Sequence, residues 1–285
     1  LFNYLIHLKF NFKLMKKIIL PFIIFSNFIL SAQTINEQWV KDNYTKKEYT
    51  IVMRDGVKLF TSVYAPKDAS INSATPQEKH PFLLMRTPYS CAPYGENKIQ
   101  PRLYEFHWKE FLKEGYIFVF QDVRGRWMSE GTFMDVRPFN PNKKKKTDID
   151  EASDTYDAVD WLVKNIPNNN GNVGVFGTSY PGFYSTMAAL SGHPAIKAVS
   201  PQAPVTEWFK GDDFHHNGAF MLNDAFNFYS GFGQPRPKPT TIEPKEFSYY
   251  TKDNYKFYLQ AGALKNLDAM IGDSIKFWHE LNQHP

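Results

Sequence analysis

The sequence predicts an α/β protein with a mostly parallel sheet. Three observations carry the prediction: short apolar runs of strand length, apolar residues at helical spacing between them, and glycine or clustered acids at helix ends. The apolar runs lack polar alternation, which is the pattern of strands covered on both faces. Composition agrees with this. At 285 residues, with 42% hydrophobic, 22% charged and 16% aromatic residues, the chain can bury a sizeable core and is not a disordered, collagen-like or coiled-coil sequence.

The elements follow in order along the chain. Residues 49–53 and 57–64 are β-branched and aromatic runs joined by Arg54-Asp55-Gly56, a hairpin signal. Residues 66–79 are polar and turn-rich, hence a loop, and 81–86 form a short buried strand. Tyr104, Trp108, Phe111 and Leu112 fall at helical spacing, Gly115 closes that helix, and an apolar strand follows at 116–120. Ala152, Tyr156, Val159, Leu162, Val163 and Ile166 line one face of a second helix. Asp148, Asp150, Glu151 and Asp154 crowd its start, where carboxylates complement the helix dipole. Residues 173–176 are the next strand, followed by a small-residue turn, a third helix carrying Met187, Ala188 and Leu190, and a strand at 196–200. The lysines 143–146 read as a solvated loop tip, and no internal repeat is found. From Val205 onward aromatics and glycines are dense and 231–244 is proline-rich, so 205–285 is expected to be an irregular, partly helical insertion covering the sheet.

Charge and cysteine content narrow the function. Lys9, Lys13, Lys16 and Lys17 are the only charged residues before Gln33, so the formal +4 lies in this stretch and 29 basic residues balance 29 acidic ones in the rest. A balanced body has no basic footprint, which excludes nucleic acid as a partner. Met15-Lys16-Lys17, the apolar run from Ile18 to Leu30 and Ser31-Ala32 have the layout of a secretory signal peptide over residues 15–32, with 1–14 as upstream sequence. The apolar run is shorter than the roughly 18 to 20 residues of a membrane span, and Pro21 and Asn27 interrupt it, against a permanent anchor. A secreted or periplasmic location is therefore expected. The sole cysteine, Cys91, allows no internal disulfide.

The chemistry sits at one turn. Gly177-Thr178-Ser179-Tyr180-Pro181-Gly182 lies between a strand and a helix, where a nucleophile elbow belongs. It departs from G-x-S-x-G because the second glycine stands three places after Ser179. A glycine-rich connection whose serine caps the helix fits the same residues. A catalytic serine needs a base and hydrogen-bond donors for its oxyanion. In a hydrolase arrangement the Tyr180 amide supplies one donor and the loop after an earlier strand, Arg86-Thr87-Pro88-Tyr89, the other. Asp122 and Arg124, directly after a strand, read as a salt bridge fixing the loop under the site. The adjacent His215 and His216 point apart and no acid stands at ligand spacing, so neither metal nor cofactor is expected.

These motifs, together with Gln121-Asp122-Val123-Arg124-Gly125-Arg126, Ser129-Glu130-Gly131 and Gly211-Asp212-Asp213, resemble the cocaine esterase-like (CocE/NonD) serine hydrolases. That family includes α-amino acid ester hydrolases, glutaryl-cephalosporin acylases and X-Pro dipeptidyl-peptidases. The resemblance runs from about Tyr49 to about Leu222. It implies an α/β-hydrolase fold, with 33–204 as the N-terminal part of the hydrolase domain and 205–285 as a partial helical cap. The family's elbow reads G-x-S-Y-x-G, which the Ser179 turn matches. The resemblance further implies that Ser179 is the nucleophile, that the Tyr180 amide and Tyr89 hydroxyl form the oxyanion hole, and that Asp213 belongs to a carboxylate cluster binding a substrate ammonium group. As a bare residue, Asp213 fits a helix cap equally well. The implied reaction is cleavage of a small ester, amide or short peptide through an acyl-enzyme. X-Pro dipeptidyl-peptidase activity and a non-catalytic secreted binding protein are the alternatives. His193, His215, His216, His279 and His284 offer no convincing base. The triad acid and histidine are therefore expected beyond residue 285, and the chain alone is expected to be inactive. Nothing in the sequence sets an oligomeric state.

Overall fold

The structure is a computed structural model that describes residues 34–69, 79–105, 108–208, 210–211 and 213–283. The expected signal peptide at 15–32 and the upstream residues 1–14 lie outside the described residues. The strands are β1 (Tyr44–Val52), β2 (Lys58–Pro66), β3 (His80–Thr87), β4 (Ile117–Asp122), β5 (Asn169–Thr178) and β6 (Ile196–Gln202). Among the described residues these six form one sheet in the order β1-β2-β4-β3-β5-β6. β1 and β2 are the predicted hairpin, antiparallel to each other, and β2 is antiparallel to β4. Its turn closes through Met53 N–H to the Val57 carbonyl (2.8 Å), with Gly56 at φ 90°, a conformation that only glycine adopts without cost. β3, β4, β5 and β6 run parallel, as the unbroken apolar runs require.

Successive residues of a strand point to opposite faces, and here both faces find cover. Ile117 and Val119 of β4 join Leu59, Phe82, Leu84 and Val175 on the face packed by the helix α4 described below. Phe118 and Phe120 join Tyr64 and Met85 on the other. That second face meets three short helices, α1 (Glu37–Asn43), α2 (Arg102–Glu105) and α3 (Lys109–Lys113). α1 was not expected, and α2 and α3 stand where a single helix was expected. Trp108, at the N-cap of α3, instead stacks its ring on Phe118 and Phe120, with centroids 6.4 and 5.7 Å away.

Two longer helices complete the layer. α4 (Glu151–Asn165) starts at Asp150, whose carboxylate accepts from Ser153 N–H (2.7 Å) while Ser153 Oγ accepts from Asp150 N–H (2.8 Å), a reciprocal capping box. α5 (Tyr180–Leu190) begins at the glycine-rich turn. Lys144 to Lys146 are exposed, but Lys143 folds back: it pairs with Asp150 and sits 4.5 Å above the Phe139 ring, so the basic tip is anchored by its first residue. After β6 the chain forms a two-strand ribbon, β7 (His215–His216) with β8 (Ala219–Phe220). Four helices follow: α6 (Leu222–Phe232), α7 (Asn254–Ala261), α8 (Leu264–Ile271) and α9 (Lys276–Asn282). Their buried residues, among them Phe226, Phe257 and Trp278, form one cluster with Tyr180, Phe183 and Tyr184 of α5. This part of the chain therefore packs on α5 and the Val123 loop, not directly on the sheet it was expected to cover. Among the described residues no helix is long and apolar enough to cross a membrane.

Candidate active site

β3 pairs with both β4 and β5 in parallel, with Thr87 beside Asp122 and Leu84 beside Val175. Their carboxyl ends open on one edge of the sheet, at the point where the strand order reverses and open α/β sheets bind ligands. Tyr89, Arg126 and Ser179 lie on the loops that leave these three ends.

Ser179 holds φ 62° and ψ −123°, a sharp turn that a residue with a side chain adopts only under strain. Its side chain is exposed and makes no cap bond to α5, which removes the capping interpretation. The turn is pinned by Ser179 N–H to the Gln202 carbonyl (2.9 Å) and by Phe183 N–H to the Ser179 carbonyl (3.2 Å). The flanking glycines are set by close approach. A Cβ on Gly177 would stand 2.3 Å from the Pro181 oxygen, and one on Gly182 would stand 2.8 Å from the Gln202 oxygen. Pro181 carries no N–H, and the Tyr180 amide, at the first helical position, has no intrahelical acceptor. It lies at the positive end of the α5 dipole, a favourable place for an anion.

Ser179 opens onto a cavity of about 330 Å³ lined also by Tyr89, Tyr180, Trp208, Asp213 and Phe228. All four site residues read from the sequence therefore line one cavity. The side chain of Tyr180 points into the core. Its hydroxyl donates to Asp135 Oδ1 (2.6 Å) and accepts from Val136 N–H (2.7 Å), and its ring stacks on Tyr184 at 5.4 Å. Asp135 also accepts from the Tyr229 hydroxyl; burial pushes its carboxyl up, and the two phenols hold it down in part. Tyr89 is 43% exposed and packs edge-on to Tyr180 at 6.2 Å and against Phe232 at 5.6 Å. Burial first, then Asp135 and Asp213, raise its hydroxyl to about 12, so it remains a protonated donor at neutral pH. Asp213 is exposed and does not cap α6, whose N-cap is Met221.

The expected Asp122–Arg124 salt bridge does not form. Val123 separates them, and the two side chains leave β4 for different partners. Asp122 accepts from Cys91 N–H (2.7 Å), the Tyr94 hydroxyl (2.9 Å) and Met128 N–H (3.2 Å), which ties the Tyr89 loop to the Arg126 loop. Arg124 donates to Asp154 (2.6 Å) and Asp55 (2.7 Å). Both residues do fix loops beneath the site, each through its own network.

Among the described residues no histidine lines the cavity. His193 stands past the far end of α5, with Asp160 at 3.8 Å and the Tyr156 ring at 4.6 Å. His215 Nδ1 is 2.7 Å from the Trp208 carbonyl and His279 Nε2 is 3.0 Å from the Gly272 carbonyl. His284 lies outside the described residues. Sequence reasoning missed Asp224 and Asn227, which line the cavity from α6, and Asp135. Arg126 stood inside a quoted motif without a role.

Residues 55–285 match the family model described as X-Pro dipeptidyl-peptidase (S15 family). The chain is similar to cocaine esterase from Rhodococcus sp. (strain MB1 Bresler), 31% identical over 185 residues, 64% of this chain and 28% of the esterase. Among solved structures it is similar to an α-amino acid ester hydrolase, with 34% identity and TM-score 0.72, covering 90% of this chain and 40% of that one. It is also similar to an aminopeptidase from a marine sediment Thaumarchaeota archaeon, with 34% identity and TM-score 0.71 over the same shares, 90% and 40%. The chain thus spans less than half the length of these relatives.

Burial pushes the Asp122 carboxyl from 3.8 up to about 6 despite its three donors. A raised carboxyl favours the fold when protonated, so its contribution is full below the unfolded value and is lost as pH rises through about 6. Asp122→Asn abolishes this titration. From pH 4.5 to 7.5, wild type is expected to lose about 2 kcal/mol relative to Asp122→Asn, read from urea unfolding at the two pH values. A constant difference contradicts the raised carboxyl.

Proposed function

Because the chain belongs to the X-Pro dipeptidyl-peptidase (S15) family, we propose that Ser179 is the nucleophile of a serine hydrolase that cleaves a small ester or amide through an acyl-enzyme. One observation carries this reading: the strained Ser179 turn, free of any capping role, faces a cavity shared with Tyr89 and the start of α5. Strain of this kind persists at functional sites because the surrounding structure over-determines it.

In the proposed reaction Ser179 Oγ attacks the substrate carbonyl carbon and its proton passes to a general base. The negative charge that develops on the carbonyl oxygen is met by the Tyr180 amide and the Tyr89 hydroxyl. A neutral phenol suits the second role because it can shorten its bond as charge grows. Collapse expels the alcohol or amine, which takes the proton, and water then cleaves the acyl-enzyme by the same steps. Among the described residues no histidine lines the cavity, and the base is left unassigned.

Two carboxylates, Asp213 and Asp224, line the cavity with Ser179, and two negative charges on one wall attract a cation. This supports substrates with a free α-ammonium group, in keeping with the names of the α-amino acid ester hydrolase and the aminopeptidase. The X-Pro dipeptide reading draws on the same wall, since a peptide N-terminus carries the same charge.

A fluorophosphonate probe on the gene product carrying this chain is expected to label wild type and not Ser179→Ala; a folded, unlabelled wild type overturns the proposal. For an α-amino acid ester, Asp213→Asn is expected to raise KM about tenfold, against less than about twofold for the α-hydroxy acid ester of the same side chain. Equal changes for both esters remove Asp213 from ammonium binding.

A further inference from the structure

Arg126 is a buried arginine that, among the described residues, pairs with no carboxylate. The other buried arginines of this region do: Arg124 meets Asp154 and Asp55, and Arg86 meets Glu151 at 3.2 Å. Arg126 spends its donors on carbonyls instead. Its Nε donates to Pro88 O (3.2 Å) and its Nη1 to Phe232 O (2.8 Å). Its guanidinium also lies 4.5 Å over the Phe232 ring and 5.1 Å over the Phe133 ring. Trp127 Nε1 adds a second donor to the same Pro88 oxygen (3.0 Å). Pro88 directly precedes Tyr89, and Phe232 ends α6, the helix whose earlier turns carry Asp224, Asn227 and Phe228 into the cavity.

We propose that Arg126 is a positioning residue for acyl transfer: it fastens the Tyr89 loop to the end of α6, sets the Tyr89 hydroxyl over Ser179, and leaves a buried positive charge facing that hydroxyl. This inference rests on the serine hydrolase reading given above. Its base is held rigidly, since Arg126 N–H donates to the Val123 carbonyl (3.0 Å) and a Cβ on Gly125 would stand 2.1 Å from Phe133 N. The charge acts in the useful direction. Arg126 pulls the Tyr89 hydroxyl down against the dominant effect of burial, which makes the phenol a better donor to an oxyanion. Burial and the neighbouring Arg236 lower Arg126 itself to about 10, which leaves it charged at neutral pH.

A double-mutant cycle on p-nitrophenyl acetate hydrolysis by the gene product carrying this chain tests the inference. In the wild-type background Arg126→Gln is expected to lower kcat about 30-fold with KM changed less than about threefold, the loss of charge-assisted hydrogen bonds. In a Tyr89→Phe background the same change is expected to cost less than about threefold, because the group it positions is already gone. Arg126→Lys, which keeps the charge but not the fork, is expected to fall between wild type and Arg126→Gln, and it replaces Arg126→Gln in the cycle if the latter does not fold. Equal losses in the two backgrounds, or no loss in the first, overturn the inference while leaving the hydrolase reading intact. A wild-type protein with neither Ser179-dependent turnover nor probe labelling overturns both.

Discussion

The site depends on one backbone conformation. Ser179 sits at a positive φ between the end of β5 and the start of α5, at a cost of order 1 to 3 kcal/mol for a residue with a side chain. The cost is offset by its surroundings. Two backbone hydrogen bonds pin the turn, and Tyr180, Phe183 and Tyr184 lock the first turns of α5 into an aromatic core. Gly177 and Gly182 let Pro181 and the Gln202 strand end approach within distances that no Cβ tolerates. The result is a serine lifted clear of the sheet with a helix amide beside it, and everything else at the site is arranged around that point.

The loops that complete the cavity are held by buried charge as well as by apolar packing. Asp122 binds two loop amides and a phenol, Asp135 binds two phenols and an amide-bearing turn through Tyr180, and Arg124 bridges the β1–β2 turn to α4. Arg86 reaches Gln121 of β4 (2.8 Å) and the Glu151 carbonyl of α4 (2.8 Å) from β3. A buried charge is tolerable only when hydrogen-bonded on several sides, and it then specifies a single arrangement of its partners. The sheet supplies the common edge, and the polar networks set where each side chain on that edge points.

Much of the fold was legible because its signals are local. Residues 117–120 alternate between two apolar cores, so the run had to be apolar throughout, and the Arg54-Asp55-Gly56 turn declares its hairpin within three residues. The split of the expected helix near Trp108 was not legible: Trp108 stays in one cluster with Tyr104 and Leu112, and its stacking on Phe118 and Phe120 is set by the sheet. The same holds for charge pairing: Asp122 and Arg124 are two residues apart, yet Asp122 contacts residue 91 and Arg124 contacts residues 55 and 154, choices that only the tertiary fold makes. At the site, Ser179 and the Tyr180 amide could be found from the turn and the loop ending in Tyr89 from its place after a strand, while the Tyr89 hydroxyl and Asp213 came from the resemblance, and all four residues line one cavity. Asp135 and Asp224 gave no signal, because a lone acid in an irregular segment looks like a solvated one.

The proposal reduces to a single chemical statement, that the Ser179 oxygen takes the acyl group of the substrate. Acid-quenched incubation of the gene product carrying this chain with an excess of activated ester, followed by peptide mass spectrometry, tests it most directly. The account predicts the mass of the acyl group on Ser179, appearing before steady state and disappearing when substrate is exhausted. Ester turnover with Ser179 unmodified throughout, or with the acyl group on another residue, would contradict it.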